Sequence, residues 1–84
     1  GLRINLDEVQ KLVENKFAVT IACIGNDSKI KIFLESEPNG LAEKIKELIC
    51  KHFQLNHSVV NIIYLDKIPI NSSGKFDYSK LIID

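Results

Sequence analysis

Hydrophobic and polar positions change period several times along this chain, and each change predicts an element. Leu6, Val9, Leu12 and Val13 recur at the spacing of one helical face. Asn5 stands before them as a cap with Glu8 three residues on, and Asp7 and Glu8 suit the positive end of the helix dipole. Asn15-Lys16 is the expected end of that helix. Phe17 to Ile24 follows as an apolar stretch with β-branched residues, which predicts a strand covered on both faces. Gly25-Asn26-Asp27-Ser28 is a turn cluster. Lys29 to Glu35 alternates charge and hydrophobe and predicts a half-exposed strand. The short connection makes the two strands an antiparallel hairpin.

Pro38-Asn39-Gly40 breaks the chain and opens a second helix. Leu41, Ile45, Leu48, Ile49 and Phe53 form its apolar stripe, while Glu43, Lys44, Lys46, Glu47 and Lys51 face water. Val59 to Leu65 reads as a third strand. Asp77 is a cap for a last short helix through Ile83. The expected fold is α+β, in the order α-β-β-α-β-α. It has about three strands, one antiparallel hairpin, two main helices and a short C-terminal helix.

Length and charge narrow the function classes. At 84 residues one domain is expected, with a thin core and little room for two ligand pockets. Eleven basic and eleven acidic residues cancel, so no long-range field favours nucleic acid or an anionic membrane. All the basic residues but Arg3 are lysine, which argues further against phosphate-fork recognition of nucleic acid. No apolar run reaches the roughly 20 residues of a membrane span, and no signal-peptide pattern opens the chain. Cys23 and Cys50 each lie in an apolar segment, as two buried thiols of a cytoplasmic protein would; a disulfide is the alternative that spacing leaves open.

Most candidate chemistry fails on spacing. His52 and His57 have no Cys, Asp or Glu placed to complete a zinc site, so a surface or helix-end role is expected. Gly74-Lys75 is not a P-loop: that pattern needs glycine where Pro69 stands and Ser or Thr where Phe76 stands. Ser72 and Ser73 have no base linked to them, and turn formation is their simpler role. Lys75 is different. It follows Ser72-Ser73-Gly74 on a loop read as flexible, between strand and helix signals, where a scaffold can present it to an anion held by another body.

Pro69-Ile70-Asn71-Ser72-Ser73-Gly74-Lys75-Phe76-Asp77-Tyr78-Ser79-Lys80-Leu81 resembles the last motif of the adenylate-forming ligases, Pro-x-x-x-x-Gly-Lys-(Ile/Val)-Asp-Arg-x-x-Leu. That superfamily includes acyl-coenzyme A synthetases, adenylation domains of nonribosomal peptide synthetases, carrier-protein ligases and luciferases. Proline, glycine, lysine, aspartate and leucine match at the right offsets. Gly1-Leu2-Arg3-Ile4-Asn5-Leu6-Asp7-Glu8-Val9 is similar to the segment that follows the hinge in these enzymes. Phe76 and Tyr78 depart from the usual Ile/Val and Arg. Gln54-Leu55-Asn56-His57 replaces a proline-bearing stretch.

The resemblance implies that residues 1–84 are the small C-terminal domain of a larger AMP-forming acid–thiol ligase. The ATP- and acyl-binding N-terminal domain would lie outside this sequence. Lys75 would be the lysine of adenylation, supported by Ser72, Ser73 and Gly74. Gly1, Leu2 and Arg3 would belong to a second face that reaches the active site for thiol transfer after a domain rotation. ATP with Mg2+ would be held mainly by the N-terminal domain, and coenzyme A or phosphopantetheine would be the acceptor. Partners would be the N-terminal domain and an acyl or peptidyl carrier protein. No ligand is expected in the isolated domain, which should be inactive. A free-standing, non-catalytic interaction module is the competing expectation. A small-molecule regulatory domain is a third, and would need an apolar pocket or a dimer interface.

Overall fold

In the computed structural model, residues 4–25 and 28–81 are described. Helix α1 spans Leu6–Phe17. Asn5 caps it, its side-chain oxygen accepting from the Asp7 N–H at 2.9 Å. The helix runs one residue past Lys16, so the strand expected from Phe17 begins only at Ile21. Val9, Val13 and Phe17 lie four residues apart on one face, and the packing of Phe17 on the core draws it into the helix. Ala18 then closes the helix in the left-handed region (φ 53°), its N–H donating to the Glu14 carbonyl.

Strand β1 is Ile21–Gly25, β2 is Ile30–Glu35 and β3 is Val60–Leu65. The sheet order is β1-β2-β3. β1 and β2 form the expected antiparallel hairpin, with Cys23 opposite Ile32. β2 and β3 are parallel, Ile32 opposite Ile62. Helix α2, Leu41–Phe53, makes the crossover between them.

The period of two divides the sheet into two faces. Ile21, Cys23, Ile30, Ile32, Leu34 and Val60 join Val9, Val13, Ile45, Ile49 and Cys50 in the main core under both helices. Ala22 and Phe33 face the other way and are covered by Ile68 and Leu81, with Ile24, Ile63, Leu65 and Phe76 around them. The second cluster corrects the reading of β2 as half-exposed. β2 is the central strand, and Phe33 is buried because the segment after β3 folds back across the sheet.

That segment also corrects the expected C-terminal helix. Asp77 does cap, accepting from the Ser79 N–H at 3.2 Å, but it caps only a single 3-10 turn, Tyr78–Lys80. Leu81 turns extended (φ −99°, ψ 114°) and is buried against the back of the sheet, which a continuing helix would not place there. Residues 82 and 83, over which that helix was expected to continue, are outside the described residues. Both cysteines are free and buried.

Candidate functional site

The residues around Lys75 form a small hairpin of their own. Ile68 is fully buried and fixes its base on the sheet. Ile70 and Phe76 pair as an antiparallel bridge. The Asn71 N–H donates to the Lys75 carbonyl at 2.8 Å, and the Gly74 N–H donates to the Asn71 carbonyl at 3.0 Å. Gly74 is left-handed (φ 80°), as the last residue of a three-residue hairpin loop requires. Below the bridge, the Asp77 N–H donates to the Pro69 carbonyl at 2.8 Å.

Asn71 organises the turn, and the sequence reading missed it. Its side-chain oxygen accepts from the Ser73 N–H at 2.9 Å and from the Lys75 N–H at 3.2 Å. Asn-initiated turns of this kind were the available signal. Ser72 and Ser73 are exposed at the tip. The loop read as flexible is therefore pinned through both backbone groups of Lys75, while the side chain of that residue stands in solvent.

An open hollow of about 310 Å³ lies beside it, lined by Gly74, Lys75, Phe76 and Tyr78. The rings of Phe76 and Tyr78 meet edge to face, 6.3 Å between centroids. Among the described residues, Ile70 and Tyr78 are the large apolar side chains left exposed, at 49% and 46%. Partial burial pushes the Tyr78 phenol above its ordinary value, with the Asp7 and Glu14 carboxylates adding to it, so it is neutral at physiological pH. The arrangement offers one cation above an apolar and aromatic rim.

The structure gathers Ser72, Ser73, Gly74 and Lys75 on one turn. Gly1, Leu2 and Arg3, named for thiol transfer, lie outside the described residues. His52 is exposed at the end of α2, its ring edge-on to Phe53 at 4.8 Å, and His57 begins a 3-10 turn capped by Asn56. Among the described residues no group of three His, Cys, Asp or Glu side chains is placed to hold a metal ion. Burial pushes the Cys23 thiol up to about 12, with Glu14 and Asp7 adding to it. Burial also raises Cys50, against an opposing effect of Lys46. Both are therefore thiols near neutral pH, not activated nucleophiles.

Tyr64 carries a structural role that the sequence reading did not assign. Gly40 precedes α2 with no side-chain cap, and the Ala42 N–H instead donates to the Tyr64 hydroxyl across the fold at 2.9 Å. Asn39 accepts from the neighbouring Leu41 N–H at 3.1 Å. β3 and the start of α2 are thus tied together.

A scan against protein-family models finds no match to this chain, and a search of curated proteins finds none. Among the described residues no helix is long and apolar enough to cross a membrane.

Proposed function

We propose that this chain is the mobile C-terminal domain of an ATP-dependent ligase that forms acyl- or aminoacyl-adenylates, with Lys75 as the adenylation lysine. The observation that carries the reading is the hairpin at 70–76, which fixes the backbone of Lys75 and leaves its ammonium exposed on an apolar rim. It adds to the likeness of residues 69–81 to the last motif of those ligases. In such an enzyme a substrate carboxylate attacks the α-phosphate of ATP; the new bond is carboxylate oxygen to phosphorus, and pyrophosphate leaves. Negative charge gathers at that phosphorus. A well-placed cation or donor there contributes about 3–4 kcal/mol to the transition state, or roughly two to three powers of ten in rate.

The exposed Ile70 and Tyr78 flank the lysine and fit contact with a second body that carries the anion. Phe76 lies in the second core cluster, so the loop and the sheet would move together in any domain rotation. ATP, Mg2+ and the acyl group would be bound chiefly by an N-terminal domain, and the thiol acceptor would be coenzyme A or a phosphopantetheine arm. Gly1, Leu2 and Arg3 would serve the thiol-transfer step.

The test is Lys75→Ala in the ligase that contains this chain, with the two half-reactions assayed apart. Pyrophosphate exchange should fall by about a hundredfold or more, while thioester formation from pre-made adenylate should change by less than about fivefold. Adenylation at the wild-type rate would refute the role of Lys75.

A further inference from the structure

We infer that the outer edge of β3 is a self-association surface, on which a second copy of this chain adds its own β3 antiparallel across a two-fold axis. β3 pairs with β2 on one side only; among the described residues no strand lies on its other side. Edge strands are ordinarily blunted by charge, proline or a bulge. β3 reads Val-Asn-Ile-Ile-Tyr-Leu, with none of the first two, and its register with β2 is unbroken over six residue pairs. Ile62, Ile63, Tyr64 and Leu65 are all only half-buried. The other edge differs: Ile21, Ala22 and Cys23 of β1 are buried.

Charge complementarity selects a second copy as the occupant. A hollow of about 230 Å³ runs along the β3 edge, lined by Ala42, Glu43, Lys46, Asn61 and Ile62. The bond from the Ala42 N–H to the Tyr64 hydroxyl places the start of α2 over the end of β3, so helix and strand run in opposite directions. Glu43 therefore lies toward the Tyr64 end and Lys46 toward the Asn61 end. A two-fold axis normal to the sheet beside Ile62 keeps the helices of both copies on one side. It also sets Tyr64 of one β3 against Val60 of the other. Glu43 of each copy then faces Lys46 of its mate, and the pair occurs twice, as an isologous interface requires. The formal net charge of zero adds no long-range repulsion between copies.

This surface is separate from the Lys75 hairpin, so it stands or falls apart from the ligase reading. Sedimentation equilibrium of the chain, over loading concentrations of about 10–500 µM at low salt, tests it. The wild-type chain should approach twice its 9.5 kDa mass, with a dissociation constant of about 100 µM or tighter. Glu43→Lys and Lys46→Glu each create like-charge pairs and should weaken dimerisation about tenfold. The double variant E43K/K46E should restore it, because the reciprocal pair is re-formed with its signs exchanged. Far-UV circular dichroism should be unchanged in all three variants. A wild-type chain that stays monomeric at the highest concentration would overturn the proposal. So would single reversals that leave the constant unchanged, or a double variant no better than either single one.

Discussion

Ile68 and Ile70 are two residues apart, have the same side chain, and predict opposite outcomes. Ile68 is fully buried between Ala22, Phe33 and Leu81, whereas Ile70 is 49% exposed. Truncating a buried isoleucine to alanine costs about 2–5 kcal/mol, and to valine about 0.5–1.5. An 84-residue domain has a total stability of about 4–13 kcal/mol. Ile68→Ala should therefore remove a large share of it, and Ile68→Val a smaller one. At about 4–8 °C per kcal/mol for a domain of this size, Ile68→Val should lower Tm by about 2–12 °C and Ile68→Ala by about 8 °C or more. Ile70→Ala should shift it by no more than about 4 °C, because a surface change costs within about 0.5 kcal/mol. Thermal and urea melts, followed by circular dichroism, measure all three. If the segment from 66 to 81 were a loose tail, Ile68→Ala would melt within about 2 °C of wild type. That result, or equal losses at 68 and 70, would refute the inference that this segment closes the back of the sheet and anchors the lysine hairpin.

Further outcomes concern the Tyr64 cap and Cys23. Tyr64→Phe keeps the ring and removes the hydroxyl that accepts from Ala42, so urea denaturation should report a loss of about 1 kcal/mol; no loss would mean that water replaces the cap at no cost. The folded-state pKa of Cys23 is raised from 9.0 to about 12, so the folded state holds a proton that the unfolded chain releases above pH 9. Stability from this group is complete below pH 9 and should decline as pH rises from 9 toward 12. Urea midpoints across that range should decline less steeply in Cys23→Ala, and an unchanged slope would exclude the assignment.

The local elements were legible because their signals are local. Asn5 caps α1, the alternation from Lys29 to Glu35 sets a strand, and Gly40 and the stripe from Leu41 to Phe53 set α2. The errors came where burial elsewhere decides a boundary. Phe17 joins α1 because a face four residues apart reaches the core, and Leu81 leaves its turn because the back of the sheet needs cover. At the candidate site, Gly74 and Lys75 stood out by residue type. Asn71 was overlooked although its signal is local too, an Asn-initiated turn whose two bonds reach only two and four residues along the chain.

By itself the sequence determined the kinds of element and their order, since helical and strand periods are written in side chains a few positions apart. It also singled out one lysine, by the glycine before it and the motif around it. The tertiary structure alone decided that β2 takes β3 as a parallel neighbour on its other side, because that pairing joins residues thirty positions apart. It alone gave the sheet a second buried face, and with it the base on which Lys75 stands. Such contacts are set by the total apolar area that can be covered at once, a quantity that no short window of residues contains.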